Sequence, residues 1–136
     1  MPIFVDTSAI FSALSRSDEN YQSARSQWVK LLTGDEPLMT SNYVLVETTA
    51  LLARRLGFQA VRVFETEFSG ALEVVWVDEQ VHRLAVGALL TAGQRDLSLV
   101  DCVSFELMRQ LALSTAFAYD AHFLRQGWTC IPEGTT

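Results

Sequence analysis

Five short apolar runs punctuate this chain, and the segments between them carry apolar residues at helical spacing. The runs are Pro2 to Val5, Leu38 to Thr40, Leu72 to Val77, Thr115 to Tyr119 and Trp128 to Ile131. Continuous apolar runs this short read as strands buried on both faces. Helical segments between them leave no room for tight hairpins, so the strands must run parallel, joined by crossovers. The pattern therefore predicts an α/β fold, a parallel sheet with helices covering both faces. Ligands in such sheets gather beyond the carboxyl ends of the strands, where the strand order reverses.

The helical segments can be placed by their punctuation. Ser8 to Leu14 is a short helix, and 15–18 is a loop. Asn20 to Leu32 carries Tyr21, Ala24, Trp28, Leu31 and Leu32 on helical spacing and stops before Gly34. Ser41 or Asn42 caps a helix through Leu56, which Gly57 ends. Phe58 to Phe68 predicts a further helix with Val61, Phe64 and Phe68 on one side. Val81 to Leu90 forms another, and Ser98 caps one from Leu99 to about Leu111. Ala121 to Arg125 is a last short helix stopping at Gly127, and Pro132 to Thr136 is expected to fray.

Four acids sit where a carboxylate is awkward. Asp6 ends the run Ile3-Phe4-Val5, and Asp120 ends Ala116-Phe117-Ala118-Tyr119. Asp101 interrupts Leu99-Val100 and Cys102-Val103. Glu47 lies three or four positions from Tyr43, Val44, Ala50 and Leu51, which puts it on an apolar helical face, with Thr48, Thr49 and Arg55 toward solvent. Burying a carboxylate costs free energy unless something positive meets it. The chain has one Lys and nine Arg, and none adjoins these acids. Three of them also have a structural explanation. Asp6 and Asp120 can cap the helices that follow, and Ser98 with Asp101 has capping-box spacing. If the four converge, their mutual repulsion calls for a hard cation, and magnesium or manganese prefers oxygen ligands. Two such ions about 4 Å apart suit phosphodiester hydrolysis.

Composition narrows the classes. A length of 136 residues, 49% hydrophobic and 19% charged, fits one domain spanning 1–136 with a sizeable core. The net charge of -6 argues against gripping nucleic acid by bulk electrostatics, so any RNA contact must be local. Cys102 and Cys130 make neither a disulfide framework nor a zinc spacing. No run approaches the roughly 18 apolar residues of a membrane helix, and no leader pattern opens the chain. The expectation is a cytoplasmic protein without membrane contact.

Phe4-Val5-Asp6-Thr7-Ser8-Ala9, Thr40-Ser41 through Val46-Glu47, Leu97-Ser98-Leu99-Val100-Asp101 and Ala118-Tyr119-Asp120-Ala121-His122-Phe123-Leu124 occur in this order across almost the whole chain. As a set they resemble a PIN domain. The resemblance implies a Rossmann-like, three-layer fold with strand order 3-2-1-4-5, which makes strands one and four neighbours and brings Asp6 and Asp120 together. It implies a Mg²⁺- or Mn²⁺-dependent ribonuclease similar to VapC-type toxins, which pair with an antitoxin and form homodimers. Asp6, Glu47, Asp101 and Asp120 would be its acidic quartet, catalytic and metal-holding. Thr7 and Ser8 would orient water or phosphate, with Asp96 and Ser98 supporting the site from behind. A free-standing PIN nuclease and a non-catalytic RNA- or protein-binding scaffold are the alternatives. Two other families with strand-end Asp fit poorly. A haloacid dehalogenase needs a second Asp where this chain has Ser8, and a receiver domain needs a late Lys where Lys30 is the only one.

Other features have simpler readings. Arg54 and Arg55 suit the negative end of their helix, or a phosphate beside the site. Arg16, Arg95 and Arg125 lie in or near loops and could hold RNA. His122 reads as a packed or surface residue, and His82 has no evident partner. Trp28, Trp76 and Trp128 read as core. Phe58, Val61, Phe64 and Phe68 form a stripe expected to be partly exposed, since PIN toxins bind partners through helices in this region.

Overall fold

The computed structural model describes residues 1–134. Five strands form one wholly parallel sheet: β1 (Ile3–Val5), β2 (Leu38–Ser41), β3 (Glu73–Val75), β4 (Thr115–Phe117) and β5 (Thr129–Ile131). Their order is β3-β2-β1-β4-β5, as the resemblance implies. In the central register Phe4 pairs with Met39 on one side and with Ala116 on the other. β1 is buried along its whole length, which is why it reads as an unbroken apolar run.

The helices are α1 (Thr7–Leu14), α2 (Tyr21–Thr33), α3 (Asn42–Arg55), α4 (Phe58–Val63), α5 (Glu79–Ala92), α6 (Leu99–Gln110) and α7 (Ala121–Arg125). α1 packs on α2 and α3, α3 on α4, and α5 on α6. Right-handed crossovers put α1 to α4 on one face and α5 to α7 on the other, giving three layers. The chain leaves β1 toward β2 but reaches β5 from β4 in the opposite direction. The strand order therefore reverses between β1 and β4, and Asp6 directly follows β1 there.

Most boundaries match the sequence reading. Ser41 caps α3 through the Val44 amide, and Gly57 ends it at a φ of 95° that few other residues adopt. Several expectations need correction. The helix predicted over 58–68 is regular only to Val63, then widens into a π-helical turn at Phe64–Phe68 and a 3₁₀ turn at Ser69–Ala71. Phe64 and Phe68 are fully buried, with Phe68 stacked on Trp28 at a ring separation of 4.5 Å. Of the stripe expected to be partly exposed, Phe58 stands out in solvent and Val61 is half-buried.

The strands at 72–77 and 115–119 are shorter than read, because side chains intercept the next ladder groups. Asn42 Oδ1 accepts from the Val77 N–H at 2.8 Å, and Ser8 Oγ accepts from the Tyr119 N–H at 3.0 Å. Trp76 follows the end of β3 at the sheet edge, where no element covers it, and is 73% exposed rather than core. Trp28 is core, and Trp128 is half-buried. Both cysteines are buried and unpaired. Pro132 to Gly134 turn after β5, and the rest of the segment expected to fray, 135–136, lies outside the described residues. Among the described residues no helix is long and apolar enough to cross a membrane.

Candidate active site

Beyond the carboxyl ends of β1 and β4, α3 and the start of α6 enclose a cavity of about 420 Å³. Asp6, Glu47, Asp101 and Asp120 all line it, together with Ser98 and Arg54. Four acids from four separate segments thus face one space.

Each aspartate caps a helix and still faces the cavity. Asp6 starts α1: its Oδ2 accepts from the Ser8 amide at 3.1 Å and the Ser8 hydroxyl at 2.6 Å. Asp101 closes a capping box with Ser98 on α6, accepting from the Ser98 N–H at 3.2 Å. Asp120 starts α7, with its Oδ1 accepting from the His122 N–H at 2.9 Å. The three aspartates therefore cap helices and line the cavity at once. A cap occupies one carboxylate oxygen and fixes the direction of the other.

Asp6 Oδ1 is the telling atom. It is buried and has no hydrogen-bond partner among the described residues. Burial pushes the Asp6 carboxyl up from 3.8 to about 6, opposed by the Ser8 bonds and reinforced by the charges of Asp120 and Glu47. Asp101 is pushed up to about 8, first by burial and then by the charges of Asp120 and Asp6. A side-chain hydrogen bond with Asp120 further favours its protonated form. Among the described residues, no three His, Cys, Asp or Glu side chains stand close enough together to grip a metal ion. Carboxylates without a cation between them repel. The donor set itself is all oxygen, acidic and short of hydrogen bonds, which suits a hard divalent cation.

Glu47 reaches the cavity by a different route from the one its neighbours suggest. The buried stripe of α3 is Val44, Thr48 and Leu52, each fully buried. Glu47 sits half-buried at the edge of that stripe, and Ala50 is exposed. Thr48, expected toward solvent, points inward and shares a 2.9 Å hydrogen bond with the Thr7 hydroxyl. This bond lies one residue from Asp6 and one from Glu47, so it holds α1 and α3 in register beneath both acids. The spacing of Val44, Thr48 and Leu52 was the available signal. Thr48→Val should leave the buried Thr7 hydroxyl unpaired and lower stability by about 1–3 kcal/mol in denaturant unfolding.

The remaining candidates divide between the cavity and its surroundings. Thr7 and Ser8 line it. Asp96 lies outside the lining, its carboxylate 3.3 Å from His122 Nε2. His122, read as structural, is buried and in contact with both Asp96 and the Asp120 cap. His82 has a partner after all, the Tyr43 hydroxyl. Arg54 is the one basic residue lining the cavity, and it makes no ion pair among the described residues.

Comparison with known proteins bears on the family and the fold. The PIN domain family model matches residues 3–128. The 23S rRNA-specific endonuclease VapC20 of Mycobacterium tuberculosis is 33% identical over 127 residues, covering 93% of this chain and 95% of the relative. The crystal structure of that protein, described as a Sarcin-Ricin loop cleaving toxin, superposes with a TM-score of 0.81 at 32% identity, covering 93% of this chain and 96% of the other. VapBC2 from Rickettsia felis, bound to a promoter DNA fragment, has a TM-score of 0.68 at 15% identity, with 96% and 97% of the chains covered. At that identity the likeness speaks for the fold.

Proposed function

This chain belongs to the PIN domain family, on its VapC-like toxin branch, and from that premise we propose that it is a Mg²⁺- or Mn²⁺-dependent endoribonuclease whose ligands are Asp6, Glu47, Asp101 and Asp120. The observation that carries this reading is the convergence of the four acids on one cavity where a buried Asp6 oxygen lacks a partner. A bound divalent cation would supply neutralisation of these acids and of the phosphate, and activation of a water. The protein supplies the frame. Ser8 pins Asp6, Ser98 pins Asp101, and the Thr7–Thr48 bond holds Glu47 opposite. Hydrolysis adds water across the P–O3′ bond. The hydroxide joins phosphorus in line, and the proton ends on the 3′ oxygen. The products are a 5′-phosphate and a 3′-hydroxyl. No 2′-hydroxyl takes part, so the choice of RNA rests on binding.

VapC20 is named for cutting 23S rRNA, and by similarity we take large-subunit rRNA as the substrate to test. A net charge of -6 gives little bulk attraction, so a structured loop recognised by shape suits this protein better than unspecific gripping of RNA. A toxin of this branch implies a cognate antitoxin, a homodimer and a cytoplasmic site of action. A small DNA-binding protein encoded next to this gene would support that pairing. The decisive experiment incubates purified protein with 23S rRNA in Mg²⁺, Mn²⁺ or EDTA and maps the new 5′ ends. Cleavage that persists in EDTA, or none with either metal, defeats the proposal.

Arg54, the basic residue that lines the cavity, is the phosphate contact of this proposal. Arg54→Ala is expected to raise KM for RNA by about fivefold to tenfold with kcat within about threefold, because it removes binding rather than chemistry. Steady-state cleavage of a short stem-loop measures both constants.

A further inference from the structure

We propose that His122 is a positioning residue, strapping the loop ahead of α6 to the start of α7 and so setting the gap between Asp101 and Asp120. The inference rests on the reading of those two acids as cation ligands. Its basis is a chain of contacts between the two helix starts. His122 Nε2 lies 3.2 Å from the Asp96 carbonyl oxygen and 3.3 Å from Asp96 Oδ2. Both are acceptors, so Nε2 carries the ring proton. Nδ1 then accepts from Arg125 Nη1 at 3.4 Å, and that guanidinium also approaches Asp96 Oδ2 at 4.0 Å.

On one side, Asp96 lies two residues before Ser98, which caps α6 and holds Asp101. On the other, the His122 backbone N–H holds Asp120 Oδ1. Asp101 and Asp120, so held, line the same cavity. No β-strand pairing ties the 93–98 loop to α7. The imidazole therefore bridges two loop-borne helix starts that the sheet does not hold directly. A residue present only to fill space would not need a buried ring with both nitrogens engaged, since burying polar atoms costs free energy that Leu would not incur.

The test compares His122→Leu, which fills the space without a donor, with His122→Gln, whose amide N–H can reach Asp96. Two readouts are used: Mn²⁺ affinity by calorimetry, and amide hydrogen exchange in the metal-free protein. For His122→Leu we expect Mn²⁺ affinity to fall about tenfold, as for other groups that orient ligands. Exchange at 94–98 and at His122 should quicken about tenfold while the core strands stay protected. RNA cleavage should lose kcat with little change in KM. His122→Gln should stay within about threefold of the wild type on every readout.

Unchanged Mn²⁺ affinity and exchange in His122→Leu, or equal damage in His122→Gln, overturns the proposal. Wild-type protein that binds no Mn²⁺ sinks the metal reading instead, while the exchange result still decides the strap. Where His122→Leu does not fold, Asp96→Ala removes a carboxylate that is 70% exposed and whose loss the fold should tolerate. It is expected to move the same readouts about threefold, and wild-type behaviour there overturns the strap.

Discussion

Asp6→Asn is expected to reduce metal-dependent RNA cleavage by about 10³-fold or more while making the metal-free protein more stable. The two effects share one cause. Asp6 is 3% exposed, and its Oδ1 has no hydrogen-bond partner among the described residues. Its carboxyl is raised from 3.8 to about 6, chiefly by burial. At neutral pH the folded protein therefore holds a carboxylate that would be better solvated in the unfolded chain. That shift corresponds to a penalty on the order of 3 kcal/mol. Asparagine keeps the shape and the acceptor facing Ser8, and it removes the charge. It also removes the ligand that a cation would need, so the chemistry should collapse. Cleavage assays in Mg²⁺, paired with thermal melts in EDTA, test both parts. Retained activity would end the metal-ligand assignment of Asp6. A less stable metal-free variant would mean that its carboxylate is satisfied in a way the geometry does not show.

Metal-free wild-type protein should lose stability as pH rises from about 4 to about 8, and Mg²⁺ or Mn²⁺ should restore it most strongly at the upper end. The sign follows from proton counting. Below pH 4, Asp6 and Asp101 are protonated whether folded or unfolded and contribute nothing. Between pH 4 and about 6 for Asp6, and up to about 8 for Asp101, the folded state keeps protons that the unfolded chain has released. Stability falls with pH wherever the native state binds more protons. A penalty on the two buried carboxylates thus builds through this window, the reverse of the usual salt-bridged carboxylate. A cation that binds only the folded protein adds stability by mass action, and it binds better once its ligands are deprotonated. Melts at pH 5 and pH 8, in EDTA and in several millimolar Mg²⁺ or Mn²⁺, give four numbers for each ion. A flat profile in EDTA, or the same gain from metal at both pH values, would contradict the shared-site electrostatics.

The candidate site was readable from the chain to the extent that it sat at strand ends. Asp6 and Asp120 each follow an apolar run, and an acid there meets the reversal point of a parallel sheet whatever the details. Asp101 was readable as a cap through Ser98. That the same residue would also line the cavity was not, because it depends on where the second carboxylate oxygen points. Glu47 reached the cavity, but its helix is rotated from the expected orientation. The buried face is Val44, Thr48 and Leu52. Sequence spacing says which residues share a face and leaves open which face meets the core. In α3 the Thr7 hydroxyl helps decide it, and that residue is distant in sequence. The role proposed for His122 was out of reach for the same reason, since its partner Asp96 lies 26 residues away.

Local pattern alone determined the alternation of strands and helices, the positions of the caps and the acids that end the apolar runs. Those properties depend on neighbours within one or two turns, where apolar spacing and backbone geometry leave few choices. Tertiary packing decided that Phe64 and Phe68 turn inward while Trp76 stays outside, that Thr48 rather than Glu47 faces the core, and that four scattered acids share one cavity. Each of these depends on contacts between distant segments, and such contacts exist only once the sheet has set its order.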